Sequence, residues 1–168
     1  MTEKQNLKLL VPSKNIDKIL EILSLLVLLI IWVVPLIFYI DLPETIPIHY
    51  NSAGKVDEFG HKRNIFLGPS LALLLYIGVM LLSKKLHLFN KTPTYEKKDV
   101  LKDYTIAIRL IRVIQLIVEV VLALVVLRTL QSAMGVFKDL GVWFLPVVLG
   151  LLFITLAYFL IKSIKVIR

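Results

Sequence analysis

Side chains able to bind a cation or exchange protons are concentrated in one polar segment, residues 42–64. Histidine and carboxylate groups occur there at His49, Asp57, Glu58 and His61. Because imidazole and carboxylate groups bind divalent cations such as Zn²⁺, these four residues are candidate metal ligands. Their spacing matches no established metal signature, and no nucleophile stands at a recognisable distance from a base. Two alternatives remain open, which are a loop fixed by hydrogen bonds and direct recognition of an external ligand.

A second set of polar side chains lies inside an apolar stretch. Arg109, Arg112, Gln115 and Glu119 fall at i, i+3, i+6 and i+10, which places them on one face of a helix. A charged side chain at mid-membrane costs at least ~2.5–3.5 kcal/mol, so such residues face the interior of a bundle. Glu21 is a candidate partner for Arg109 or Arg112.

Two interpretations of this polar stripe compete. The first is an internal polar site for an ion, a proton or a peptide group. In the second, Arg109 and Arg112 extend to the cytoplasmic interface, and Glu119 is protonated or hydrogen-bonded to Gln115. Arg128 is expected at the outer interface, where a cation also suits the end of a helix.

Apolar blocks are the elements that must position these groups. Of the 168 residues 58% are hydrophobic and the mean hydropathy is +0.83, whereas a soluble domain is ~45–50% apolar. The excess lies in four blocks, at about 19–40, 65–82, 104–130 and 141–161, each long enough to cross a bilayer. We therefore predict an all-α integral membrane protein with four transmembrane helices, forming a single membrane domain over residues 1–168.

Composition also excludes several classes of function. The chain has no cysteine, so disulfides, cysteine nucleophiles and thiolate metal sites are ruled out. Its net charge is +8, which in a membrane protein marks loops that face anionic lipid and does not indicate nucleic-acid binding. We expect no cofactor, no nucleic-acid partner and no enzymatic activity. The first block is interpreted as a retained span, because no small-residue cleavage site follows it.

The distribution of basic residues predicts the orientation. Thirteen lysines and arginines lie in the N-terminal segment, the 83–103 segment and the C-terminal tail, against four in the two remaining loops. The positive-inside rule then places both termini and the 83–103 loop in the cytoplasm. It places the 42–64 loop outside the cell.

The 42–64 loop has the pattern of a β-hairpin. Pro43 and Pro47 disfavour helix, and residues 46–50 alternate between apolar and other side chains, as strands do. Residues 51–54, Asn-Ser-Ala-Gly, supply a turn, and residues 55–59 can return as a second strand. Because an isolated hairpin is marginally stable in water, it should pack against the helix ends as an extracytoplasmic cap.

Particular positions follow from this hairpin. A four-residue turn places His49 across from Val56 and Asp57, on the face opposite to Ile48 and Tyr50. Asn64 is a candidate N-cap for the second span.

The loop residues also form a motif, L-P-x-x-I-P-x-H-x-N-x-x-G-x-x-D. Its members are Leu42, Pro43, Ile46, Pro47, His49, Asn51, Gly54 and Asp57. The motif resembles the signature of a bacterial membrane domain of unknown function that also forms the N-terminal part of SdpI-type immunity proteins. The resemblance extends over roughly residues 25–80. It implies a plasma-membrane protein of Gram-positive bacterial origin with an ordered outer loop, and it implies no reaction.

Together these observations predict a binding protein. The preferred hypothesis is an immunity, accessory or signalling protein that engages a secreted peptide, a toxin or a partner membrane protein through the outer loop. The alternative is a small transporter or channel component that uses the polar stripe of the third span, as a homo-oligomer. A membrane-embedded metal-dependent hydrolase is the third hypothesis.

Overall fold

The described chain is mostly helical, with one small sheet. The computed structural model describes residues 15–89, 97–136 and 138–167. The elements are α1 (Asn15–Phe38), β1 (Thr45–Tyr50), β2 (Val56–His61), a 3₁₀ helix (Lys62–Phe66), α2 (Leu67–Phe89), α3 (Lys97–Ala133) and α4 (Phe144–Ile167). The strands form a two-stranded antiparallel sheet between α1 and α2, which we call the hairpin.

Four helical segments of the described chain are long and apolar enough to cross a bilayer. They cover Asn15–Phe38, Lys62–Ser83, Ile106–Ala133 and Phe144–Lys162. Most of their large apolar side chains point outward, as expected for helices that contact lipid. The prediction of an all-α, four-span fold with a small hairpin between the first two helices is confirmed, and the chain has the features of a multi-pass membrane protein.

Helix ends differ from the predicted blocks. The 83–103 segment, expected to be a loop, is helical over 83–89 and over 97–103. Lysine is a good helix former, so both helices continue beyond their apolar stretches. Residues 90–96 lie outside the described chain, as do Lys4, Lys8 and Lys14 of the N-terminal segment.

Helix α3 is the centre of the bundle. It packs against α1, α2 and β1, whereas α4 packs mainly against α3. The buried core joins three helices to the hairpin and the 3₁₀ helix, and it consists of Leu28, Ile31, Leu42, Ile46, Ile65, Ala72, Val126 and Leu130. The core therefore lies in the half of the bundle nearest the hairpin. We call this the hairpin end, and the opposite end, near Asn15, the terminal end.

The hairpin is irregular around His49. The ladder pairs Pro47 with Phe59 and Tyr50 with Val56, and it shifts register on both sides of His49. The backbone of His49 consequently pairs with Glu58, so the predicted register opposite Val56 and Asp57 was wrong, although the predicted side-chain contact of His49 with Asp57 is present. An irregularity of this kind re-aims a side chain, and no local sequence signal announced it.

The helix start after the hairpin also differs from the prediction. His61 Nδ1 accepts a hydrogen bond from the Arg63 backbone N–H at 3.1 Å, so His61 caps the 3₁₀ helix. Asn64 lies inside that 3₁₀ helix and does not immediately precede α2, which begins at Leu67, so it does not have the predicted N-cap position. Asn is a stronger N-cap residue than His in general, but here helical structure begins two residues before Asn64, at Lys62, and His61 caps it.

Candidate functional site

Asn51 and Gly54 build the turn of the hairpin. Asn51 Oδ1 accepts hydrogen bonds from the backbone N–H groups of Ala53 at 3.0 Å and Lys55 at 3.1 Å. Gly54 has a φ of +73°, a conformation that side chains rarely adopt. These two residues therefore fix the shape of the turn, in agreement with their residue types.

The turn is docked on the α3–α4 connection. The Leu140 backbone N–H donates to the Gly54 carbonyl at 2.8 Å, and the Val56 N–H donates to Asp139 Oδ1 at 3.2 Å. A Cβ atom on Gly54 would lie 2.5 Å from the Gly141 carbonyl oxygen. The loop between α1 and α2 is thus attached to the loop between α3 and α4.

The first strand is anchored on the bundle by apolar contacts and one hydrogen bond. Ile46 is 1% exposed and Pro47 is buried, whereas Pro43 is exposed before the strand begins. The Tyr50 hydroxyl lies 3.1 Å from the Thr129 hydroxyl of α3. Burial of the Tyr50 ring raises the pKa of its phenol above the ordinary value.

His49 and Asp57 form an exposed pair on the outer face. His49 Nδ1 lies 2.6 Å from Asp57 Oδ1, and the two side chains are 61% and 40% exposed. An exposed ion pair contributes roughly 0–1 kcal/mol to stability. This pair therefore adds little to the stability of the fold, and its two side chains remain accessible to solvent.

The other acidic and imidazole groups of the hairpin have separate partners. Glu44 lies 3.0 Å from Lys62 Nζ and 3.4 Å from His61 Nε2. The hydrogen bond and charge of Lys62 lower the pKa of Glu44 below its ordinary value. His49, Asp57, Glu58 and His61 do not converge: across the three described ranges, no three His, Asp or Glu side chains form a metal-holding group. His61 is occupied by its capping bond instead.

A buried polar cluster lies inside the membrane-spanning part of the bundle. Glu119 is fully buried, and Ser24 and Gln115 are 4% and 8% exposed. Ser24 Oγ donates to Glu119 Oε2 at 2.5 Å, while Gln115 Nε2 donates to Glu119 Oε1 at 2.8 Å and to Ser24 Oγ at 2.9 Å. The Ser24 hydroxyl of α1 is thereby hydrogen-bonded to Glu119 and to Gln115 of α3, which joins the two helices.

The two arginines of the stripe bind Asp17 at the terminal end. Arg109 Nε and Nη2 donate to the two Asp17 carboxylate oxygens at 2.9 and 3.0 Å. These side chains are only 13% and 14% exposed. Arg112 Nη1 donates to the Asp17 carbonyl at 3.3 Å. Glu21, predicted as a partner of Arg109 or Arg112, lies one turn further along α1. The prediction was wrong for Arg109, because Asp17 meets its guanidinium in bidentate geometry, and Glu21 shares only the lining of a pocket with Arg112.

A pocket of about 180 Å³ adjoins the cluster on the terminal side. Ser24 and Gln115 line its inner wall, and charged groups from Glu21 and Arg112 line it as well. Helix α2 contributes Tyr76, among other residues. Two of the predicted stripe residues, Arg112 and Gln115, thus line this pocket, while Glu119 is bonded to two of its lining side chains and Arg109 is held by Asp17. Arg128 lies away from the pocket and donates to Gln131 Oε1 at 3.4 Å.

Four residues of these sites were not predicted from the sequence. Each of them binds a group at least 79 positions away along the chain. They are Asp17, Ser24, Thr129 and Asp139. Ser24 had a possible signal, since it is a polar residue within an otherwise apolar block. Asp17 lies four residues before Glu21 on the same face of α1, so the i, i+4 spacing makes both carboxylates candidate partners for the arginines of α3.

Comparisons with known proteins match the hairpin region. Residues 26–73 match the family model described as a domain of unknown function, DUF1648. The match includes the hairpin with His49, Asn51, Gly54 and Asp57. An uncharacterized protein of Archaeoglobus fulgidus is 28% identical over 85 residues, which are 50% of this chain and 46% of that protein. The chain therefore aligns with about half the length of that relative. No solved structure matches the chain.

Proposed function

We propose that this membrane protein, whose hairpin region matches a domain of unknown function, binds a secreted peptide or a partner membrane protein through the outer face of the hairpin. The observation that carries the proposal is that different residues of the hairpin hold its shape and face solvent. Asn51 stabilises the turn and Gly54 packs it against Gly141, whereas the side chains of His49 and Asp57 stay accessible to solvent. A surface held rigid before binding loses little conformational entropy on binding.

Chemistry on the exposed face suits a peptide ligand. Asp57 and Glu58 supply acceptors, His49 supplies an imidazole that can donate or accept a hydrogen bond, and Phe59 is 62% exposed. Aromatic residues such as Phe are enriched in protein-binding surfaces relative to the rest of the surface. The motif's resemblance to SdpI-type proteins supports an immunity or accessory role for such binding.

Replacing His49 or Asp57 by alanine is expected to abolish this function without loss of fold. In cells lacking the native gene and exposed to their own secreted peptides, the wild-type chain should restore survival or partner association, and both variants should fail at equal membrane levels. The matched control is Ser52→Ala, an exposed turn residue outside the pair. Wild-type behaviour of both variants would reject the hairpin as the working surface.

The proposal requires the hairpin to face outward. The hairpin and the α3–α4 connection lie at the same end of the bundle, and they carry few of the basic residues. Because the native chain has no cysteine, single cysteines report topology directly. We expect cysteines at Ser52 and at Thr94, which lies outside the described residues, to react with impermeant reagents from opposite sides. Labelling from one side would overturn the orientation.

The buried cluster favours a second candidate function, a small transporter or channel component. A fully buried carboxyl beside a polar pocket is typical of ion or proton pathways. Four helices enclose little space, so this function would require association of several copies. Proton flux into liposomes under a membrane potential should then occur and should be lost in Glu119→Gln. Absence of flux in the wild type, or equal flux in both proteins, would reject this candidate.

A further inference from the structure

The carboxyl of Glu119 is buried without a counter-ion. Within the part of the chain that the structure describes, its partners are the hydroxyl of Ser24 and the amide of Gln115. Both are neutral groups. An ionised carboxyl removed from water costs several kcal/mol unless a cation compensates it. The site therefore favours an added positive charge at the carboxyl.

Charged groups on the neighbouring elements are placed elsewhere. Arg112 is seven residues before Glu119 on α3, ~10 Å along the axis, and Arg109 is held by Asp17. From α1 and α2, Glu21 and the Tyr76 phenol face the pocket.

Beyond these, α4 and the hairpin end supply no counter-ion in the described residues. On α4, Lys162 lies over the ring of Tyr158 at 5.7 Å. Towards the hairpin end, Arg128 is nine residues beyond Glu119, ~13 Å along the helix, and donates to Gln131.

The cluster opens in one direction. Ser24 and Gln115 line the pocket on the terminal side, whereas Leu28, Ile31 and Val126 are buried on the hairpin side. These apolar side chains follow Ser24 and Glu119 by one to two helical turns. Solvent in the pocket consequently reaches the Ser24 hydroxyl. On the hairpin side, the core side chains that separate Ser24 from solvent are apolar.

We propose that Glu119 is a proton-binding site loaded from the terminal-side pocket through Ser24. A proton from solvent in the pocket binds Ser24 Oγ as the hydroxyl's own proton passes to Glu119 Oε2. The carboxylate becomes a neutral acid and the hydroxyl is regenerated, so one proton is taken up and no other bond changes. Gln115 holds Ser24 Oγ and Glu119 Oε1 in place during the transfer.

This site uses the same side chains as the transport candidate, but it needs no flux. Binding of a proton at Glu119 changes the charge between α1 and α3 whether or not a proton leaves on the other side. The two ideas therefore fail in different measurements, since flux is measured across liposomes and protonation at the carboxyl itself.

Infrared spectroscopy of the purified protein in lipid tests the proposal. Between alkaline and mildly acidic buffer, the wild type should gain the carbonyl band of a protonated carboxyl, and Glu119→Gln should lack that band. Glu119→Asp, which keeps the acid, should retain a band at a shifted frequency. Glu44→Gln removes an exposed carboxyl outside the membrane and is the matched control, so it should keep the Glu119 band.

The role of Ser24 has its own measurement. On transfer to heavy water the acid band should shift as the proton exchanges, and Ser24→Ala should slow this shift at least about tenfold, the equivalent of ~1.4 kcal/mol in barrier. Superimposable spectra of the wild type and Glu119→Gln across the pH series would overturn the proton site. Equal exchange rates in the wild type and Ser24→Ala would overturn the path through Ser24.

Discussion

Replacing Gly54 by alanine is expected to release the hairpin from the bundle, with a loss of about 3 kcal/mol or more in the free energy of unfolding. Two effects combine at this position. The φ of +73° costs a residue with a Cβ roughly 1–2 kcal/mol, and the new Cβ would lie 2.5 Å from the Gly141 carbonyl oxygen. Because both partners are backbone, neither side chain can rotate away. Unfolding in mixed detergents, followed by circular dichroism, measures the loss.

Two other glycines separate the causes. Gly135 has a φ of +76° and nothing within 4 Å of its added Cβ, so Gly135→Ala should show the backbone cost alone. Gly78, inside α2, has neither constraint, and Gly78→Ala should be neutral or stabilising by up to ~1 kcal/mol. Hydrogen exchange of the hairpin amides should accelerate in Gly54→Ala alone. An equal loss in Gly54→Ala and Gly135→Ala would contradict the close approach to Gly141.

Removing either member of the Asp17–Arg109 pair is expected to cost about 3–5 kcal/mol, because the two-point contact is lost and the remaining charge stays largely removed from water. The side chains are 13% and 14% exposed and meet through two hydrogen bonds. Asp17→Asn also removes a negative charge close to Arg112, since Arg112 donates to the Asp17 backbone carbonyl. Arg109→Lys keeps the charge but loses the planar two-point contact, so it should cost less than Arg109→Gln.

A double-mutant cycle isolates the coupling of this pair. Asp17→Asn combined with Arg109→Gln should be more stable than the sum of the single losses predicts, since the double variant holds neither charge of the pair. Lys18→Gln, an exposed neighbour of Asp17, is the matched control and should lie within ~0.5 kcal/mol of the wild type. Losses below ~1 kcal/mol in the single variants are what a solvent-exposed ion pair would give, and they would contradict the low exposure of this pair.

Local patterns were sufficient for the elements of the fold. Apolar length gave the four spans, and Pro47, Asn51 and Gly54 gave a hairpin between the first two. Each of these properties is set by residues that are neighbours in sequence. The shifted register at His49 was not predictable in this way, since an irregular ladder results from packing on the bundle.

The contacts of the polar sites depended on the tertiary arrangement. The i, i+3 spacing of Arg109 and Arg112 placed them on one face, but the choice of Asp17 over Glu21 is set by where α1 crosses α3. Ser24 binds Glu119 across 95 positions of sequence, and Gly54 meets Gly141 across a similar distance. One sequence contains no local signal for such pairs.

The attachment of the hairpin turn to the α3–α4 connection has a consequence for biosynthesis. A chain emerging from the ribosome completes α1, the hairpin and α2 well before Leu140 and Gly141 are made. Until then the turn has no partner, and a two-stranded hairpin is marginal alone. Closure of the turn onto Gly141 is thus a late assembly step that requires all the elements up to that connection, and a nascent chain stalled before it would display an open hairpin to proteases.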